Sequence, residues 1–469
     1  MSECASPLPI DAQDGSRSEA QPELTRSLLP RHVSMIAIGG IIGAGLFVGS
    51  STSIATAGPA VVLSYGLAGL LVLLVMRMLS EMAVANPEIR SFPDFARAGI
   101  GQWAGFLTGW LYWYFWVVVV PIEAIAGAKI IQLWLPGFAV WQIGVALMAV
   151  LTAVNLMSTR SYGEAEFWMS SIKVAAIGVF ILITASAAFG LTNGVTPGFA
   201  NLTAHGGFAP NGVVAVLATI TSVIFALTGA EIATVAAAES PNPAQTVARI
   251  TATVAWRILI FYILSIGLIV TVVPWTAIVP GVSPFATALS TIGVPAAATI
   301  MNAIVLVAVL SCLNSGLYVT SRVLFALASR GDAPRSMVAL DRRGVPVRAI
   351  LIGSVFSYAA LAASIVSPDL IFSFLVNASG ALMLLIYLML AISQLRLRAR
   401  VERQAPERLQ VRMWFHPIAT IVAMLGIVAV LAAMALTPSL ASQFYASLLA
   451  AGVAALGLLL RRKPARDAR

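Results

Sequence analysis

The run Ile38-Gly39-Gly40-Ile41-Ile42-Gly43-Ala44-Gly45-Leu46-Phe47-Val48-Gly49 places five glycines among the eleven residues from Gly39 to Gly49, inside an otherwise apolar segment. A helix interior loses about 1 kcal/mol for each glycine in place of alanine, so the middle of this segment can unwind and turn its N–H groups toward a ligand. Glycines also let helices approach closely, and their number alone does not separate the two roles. A second interruption shifts the balance. Phe225-Ala226-Leu227-Thr228-Gly229-Ala230-Glu231 lies at the middle of another apolar segment, five segments later. Glycine-interrupted helices at corresponding positions of two halves point to a transporter with inverted repeats and a binding site near the bilayer midplane.

The composition around these breaks requires a lipid solvent. Of 469 residues, 59% are apolar and 10% charged, with mean hydropathy +0.93, whereas a soluble domain carries about 25% charged residues. The apolar stretches are continuous rather than alternating, which selects helices over a barrel. Twelve are expected: 33–57, 60–84, 103–133, 138–157, 167–189, 212–238, 252–275, 297–329, 347–366, 370–395, 413–436 and 441–460. Residues 1–30 read as a flexible polar tail, not a secretory leader. With the N-terminus in the cytoplasm, 26 of the 28 Lys and Arg fall on one side or at the adjoining helix ends, leaving only Lys129 and Lys173. The positive-inside rule then puts both termini in the cytoplasm and requires an even number of spans. The clusters Arg342-Arg343, Arg396 to Arg412 and Arg461 to Lys463 read as topology signals and anionic-lipid contacts, not as nucleic-acid contacts.

Catalytic and cofactor chemistry finds no foothold. Cys4 and Cys312 stand far apart, which disfavours a disulfide or a thiolate metal site. His32, His205 and His416 are not paired with a nucleophile or spaced for metal, and no GxxxxGK[ST] motif occurs. No enzymatic activity, metal or cofactor is expected. Interest falls on three ionisable residues placed within spans, Glu123, Lys173 and Glu231. Such a residue must face a cavity, pair, or exchange a proton, because a charge at the bilayer centre costs about 3 kcal/mol or more. Snorkelling competes for Lys173, and bracing of the break competes for Glu231. Glu123 follows Pro121, where a helix can bend. Glu81 and Arg77 read as a simple pair one turn apart. The aromatic run Trp110 to Trp116 reads mainly as packing surface, with Phe115 or Trp116 able to wall a pocket. Free N–H groups at a half-helix start hold a carboxylate, and free carbonyls hold an ammonium group, so a zwitterion fits both.

These residues also carry a resemblance. IGGIIGAGLFVGSS (Ile38 to Ser51), AGPA (Ala57 to Ala60), MRMLSEMA (Met76 to Ala83), GWLYW (Gly109 to Trp113) and PIEA (Pro121 to Ala124) occur in order. GAEIATVAAAES (Gly229 to Ser240), WRILIFY (Trp256 to Tyr262) and SCLNSGLYVTSRVLFALASRGDAP (Ser311 to Pro334) follow. Over residues 31–436 the chain resembles the amino acid transporter branch of the amino acid–polyamine–organocation superfamily, most closely its bacterial 4-aminobutyrate (GABA) permeases.

The resemblance implies an all-α membrane protein of leucine-transporter-like fold, with two inverted five-helix repeats at 31–189 and 211–395 and helices 1 and 6 discontinuous. Helices 11 and 12 at 412–460 would be peripheral, and 461–469 a cytoplasmic tail. It implies that Ile41, Gly43, Ala44 and Gly45 hold the substrate carboxylate. Phe225, Ala226, Thr228 and Gly229 would line the amine side with Phe225 as gate, while Trp116 and Glu123 border the pocket and Ser311 and Asn314 contribute from the eighth segment. Lys173 would take over the place of a sodium ion, and Glu231 would respond to protonation. The expected function is proton-coupled import of GABA or a related ω-amino acid across a bacterial inner membrane. An α-amino acid is the alternative substrate; a sensor or passive channel on the same scaffold is the alternative class.

Overall fold

The computed structural model describes residues 42–89, 91–157, 159–191, 198–229, 254–294, 296–342 and 344–460, and these contain helices and no strand. The helices are numbered α1 (Ser50–Ala57), α2 (Val61–Ala85), α3 (Phe92–Gly99), α4 (Gln102–Gln132), α5 (Val140–Met157), α6 (Thr159–Ala188) and α7 (Gly212–Leu227). They continue with α8 (Ser265–Val272), α9 (Pro284–Ile292), α10 (Ala297–Ser329), α11 (Val347–Ala363), α12 (Pro368–Gln404), α13 (Ile418–Leu436) and α14 (Pro438–Leu460). Among the described residues, eight helical runs are long and apolar enough to cross a membrane, and three shorter apolar helices, Val140–Leu156, Gly212–Leu227 and Val347–Ala363, accompany them. The first of the eight runs, Gly45–Ala85, is interrupted at Gly58, whose φ of +64° suits glycine and whose missing Cβ leaves room for Pro210.

Helix α4 sits at the centre. Of its most apolar window 83% is buried inside the protein, against 17% for α14, which therefore lies at the periphery. Pro121 does not break α4. The carbonyl of Val117, which the proline leaves without its helical donor, accepts from Ser357 Oγ of α11 at 3.5 Å. Small residues set the close crossings: Gly380 of α12 lies against the Thr221 carbonyl of α7, where any side chain would overlap the backbone. Hydroxyls then join α7 to the first two helices, through Ser53 Oγ···Ser222 Oγ at 2.8 Å and Ser64 Oγ donating to the Val216 carbonyl at 2.8 Å.

Two expected features change. The expected pair of Glu81 with Arg77 is replaced by a buried network. Glu81 accepts from Arg398, from Gln394 Nε2 at 2.7 Å and from the Met413 amide at 2.6 Å. Arg77 instead donates to the Arg412 carbonyl at 2.8 Å and lies over the Trp414 ring. A carboxylate 2% exposed needs several donors, and α12 brings them. That is also why α12 runs on to Gln404, past the end of its apolar stretch: Arg398 is held by both Glu81 and Glu402. The second change is at α6, which begins before residue 167 and carries Glu166 into the interior, fully buried.

Candidate functional site

Two helix breaks meet beside α4. On the first, Ile42 is non-helical, the helix starts at Ala44, and Gly45–Gly49 forms a π-helical turn, a form that recurs at functional sites. A helix start leaves backbone N–H groups without intrahelical acceptors. The Ala44 N–H meets the Glu123 carboxylate, 2.9 Å from Oε2 and 3.1 Å from Oε1. Glu123 is 1% exposed. Glycine at 43 permits this contact: a Cβ there would stand 2.6 Å from Glu123 Oε1 and 2.8 Å from Cys312 Sγ. Glycine at 45 permits the second break to come close, since its Cβ would lie 2.8 Å from the Ala226 Cα.

The second break falls at the end of α7. Thr228 is extended, with ψ of 149°, and Gly229 adopts φ of +107°, so the chain leaves helical geometry within the predicted stretch. Between the breaks lies a cavity of about 20 Å³, walled by Phe115, Trp116, Val119 and Glu123 of α4, Phe225 and Ala226 of α7, and Gly45, Thr228 and Cys312. That volume holds about one water. The Phe115 and Phe225 rings on its wall have centroids 6.5 Å apart, so admitting anything larger than a water requires the walls to move. Trp116 Nε1 is buried without a hydrogen-bond partner among the described residues, a donor available to a ligand. Beyond the cavity, Phe285 of α9 wedges between Phe47 and Phe180, with ring centroids 4.9 and 4.7 Å away.

The expected site residues therefore divide. Gly45, Trp116, Glu123, Phe225, Ala226 and Thr228 wall the cavity, Gly43 and Ala44 meet it through the Glu123 carboxylate, and Gly229 follows Thr228. Ser311 and Asn314 are placed elsewhere. Asn314 Oδ1 accepts from Asn155 Nδ2 of α5 at 2.7 Å. Ser311 belongs to a second buried cluster: Lys173 Nζ donates to Ser311 Oγ at 2.8 Å, and Ser311 Oγ donates to Glu166 Oε1 at 2.6 Å. Ser170 Oγ adds a donor at 3.0 Å, and Lys173 Nζ stands 3.7 Å from the same oxygen. All four side chains are fully buried, so Lys173 is paired rather than snorkelling. Ile41 and Glu231 lie outside the described residues.

Sequence reasoning missed Val119, Cys312 and Glu166. Val119 follows Phe115 and precedes Glu123 by four residues each, a helical stripe that spacing alone could have found. Glu166 stands two turns before Lys173 on one helix face, but the expected segment began one residue after it. Cys312 stands next to Ser311 and gives no separate signal.

A family model described as amino acid permease matches residues 32–465. The gamma-aminobutyric acid permease of Bacillus subtilis (strain 168) is 48% identical over 447 residues, which cover 95% of each chain. That of Escherichia coli (strain K12) is 43% identical over 445 residues, 94% of each. An aromatic amino acid transport protein, AroP of Corynebacterium glutamicum, is 38% identical over 417 residues, 87% of this chain and 89% of that protein.

Proposed function

This chain belongs to the amino acid permease family and crosses the membrane several times, and from that premise we propose that it imports 4-aminobutyrate or a related ω-amino acid, driven by protons, across a bacterial inner membrane. It is a transporter, not an enzyme. In this reading twelve spans form two inverted five-helix repeats, 31–189 and 211–395, with 412–460 outside them and both termini in the cytoplasm.

The observation that carries the proposal is the Glu123 carboxylate on the Ala44 N–H. A helix start in the protein interior that already holds a carboxylate is a site for one. The carboxylate of an arriving zwitterion displaces Glu123 from Ala44, and the freed Glu123 turns to the substrate ammonium. The zwitterion adds no net charge, so one buried ion pair is made as one charge-assisted hydrogen bond is exchanged for another. A substrate with a longer spacer sets its ammonium farther from Ala44, and the position of Glu123 on α4 then selects chain length. The names of the 43–48% identical relatives support the same substrate.

The coupled proton is assigned to Lys173, which Ser311 links to Glu166. Ser311 adjoins Cys312 on α10, and Cys312 walls the cavity, so one helix touches both the substrate and the ion pair. Glu231 is a second proton-responsive candidate by resemblance.

The test is uptake of labelled GABA into proteoliposomes, with and without an imposed inward proton gradient and with unlabelled α- and ω-amino acids as competitors. Gradient-dependent GABA accumulation blocked by ω-amino acids is the expected result. Gradient-driven uptake of an α-amino acid without GABA uptake would move the substrate to the class named for AroP; binding without turnover would make the chain a sensor.

A further inference from the structure

Four carboxylates at one end of the molecule are engaged, Asp332 with Arg97, Asp94 with Arg330, and both Glu81 and Glu402 with Arg398. Three arginines of the same end, Arg396, Arg400 and Arg403, have no carboxylate partner among the described residues and are exposed. Their spacing of four and three residues puts them on one face of α12. That face lines a cavity of about 850 Å³ between the end of α12 and the end of α3, with Arg97 on the opposite wall and no acidic residue on its lining.

The cleft is built rather than incidental. Gly99 of α3 packs against the Ser393 backbone of α12, where a Cβ would come 2.7 Å from the Ser393 Cα. Gly101 then turns the chain away with φ of +146°. Arg400 Nη1 donates to the Ala98 carbonyl at 3.4 Å, and Arg403 Nε to the Ala399 carbonyl at 2.9 Å, so the two guanidinium groups are held at the wall. Leu395 and Ile100 give the lining an apolar part as well.

We propose that this cavity binds the phosphate headgroup of an anionic phospholipid. The 37 residues of α12 extend about 56 Å at ~1.5 Å per residue, against a hydrocarbon core of about 30 Å. Its apolar run ends at Leu395, so Arg396 and the turns after it leave the hydrocarbon and pass through the headgroup level, at the end the charge distribution places in the cytoplasm. Guanidinium forks fit phosphate oxygens, and Leu395 and Ile100 fit the glycerol and upper acyl carbons that inorganic phosphate lacks. The proposal is independent of the transported substrate.

The test titrates short-chain phosphatidylglycerol into the full-length protein in a nonionic detergent, with the melting midpoint as readout. Phosphatidylcholine of equal chain length and sodium phosphate run in parallel. Phosphatidylglycerol alone should raise the midpoint saturably. Removing three arginines, each worth about fivefold in affinity, should move that titration roughly 100-fold higher in the triple variant Arg396→Gln/Arg400→Gln/Arg403→Gln. The triple variant Arg335→Gln/Arg342→Gln/Arg408→Gln, which removes the same charge from exposed sites off the cavity, should titrate like the parent. Equal weakening of both variants would reduce the site to diffuse surface charge, an equal response to phosphatidylcholine would remove the phosphate selectivity, and saturation by sodium phosphate would make it a free-anion site; each overturns the proposal.

Discussion

Glu123 and Glu166 are both buried carboxylates, and they are held in opposite ways. Glu123 accepts from the Ala44 N–H and from the Cys312 thiol at the edge of the cavity and has no cation within ion-pair distance among the described residues. Glu166 accepts from two serine hydroxyls and stands beside a lysine, with its second oxygen unpartnered among the described residues. A carboxylate held by a neutral N–H and a thiol can be replaced by another carboxylate without any change of protonation. A carboxylate paired with a buried lysine cannot leave it without stranding a charge. Under the proposed function, the first would serve ligand exchange and the second coupling.

The largest effect should come from the ion pair. Lys173→Ala should abolish accumulation driven by a pH gradient, while undiminished accumulation would return Lys173 to packing. Stranding Glu166 costs about 3–5 kcal/mol, so a low folded yield alone would prove little. The double variant Lys173→Ala/Glu166→Gln removes both charges and should recover folded protein that still exchanges internal for external GABA but no longer accumulates it. Recovered accumulation would show that the pair only braces the fold.

Glu123 should give a smaller and different effect. Glutamine keeps an acceptor for the Ala44 N–H but loses the charge that, under the proposed function, meets the substrate ammonium. A hydrogen bond to a charged group contributes about 1.5–3 kcal/mol, so Glu123→Gln should raise the KM for GABA by roughly tenfold or more. Competition by α-amino acids should change less, and the accumulation ratio at saturating GABA should stay near that of the parent. Equal changes for α- and ω-substrates would remove Glu123 from chain-length selection, and a collapse of accumulation would erase its distinction from Glu166.

How much of this was legible beforehand follows from what the sequence encodes locally. The breaks at Gly43–Gly45 and Thr228–Gly229 were readable because glycine in an apolar helix is costly and has to be explained on the spot. The third and eighth segments were readable to within a residue because glycine, proline or polar residues bound them, Gly101-Gln102 and Pro136-Gly137 for the third and Pro295 and Arg330-Gly331 for the eighth. The partners of Glu81 were not readable, because Arg398 is 317 residues away and nothing at Glu81 marks which cation the fold brings. Glu166 was hidden by a boundary drawn from hydropathy: a helix that buries a charge against a lysine two turns on and a distant serine does not end where its apolar run ends. Glu123 was recognised as a pocket residue, but the N–H it meets belongs to a turn 79 residues earlier.

Ser311 and Asn314 sharpen the contrast at its weakest end. They lie about one turn apart on α10 and drew the same expectation, yet Ser311 bridges Lys173 and Glu166 while Asn314, among the described residues, bonds to Asn155. Asn155 also donates to the Leu151 carbonyl at 3.0 Å, so losing Asn314 leaves one of its amide hydrogens engaged. Asn314→Ala should therefore cost about 1 kcal/mol of stability, seen as a small drop in melting midpoint, and leave the GABA KM within about twofold of the parent. Ser311→Ala should lower gradient-driven accumulation instead, because it removes the hydroxyl through which the lysine and the carboxylate are joined. If Asn314→Ala moved the KM and Ser311→Ala moved nothing, the substrate would reach α10 below Cys312, and the cavity would have to extend toward α5 rather than toward the ion pair.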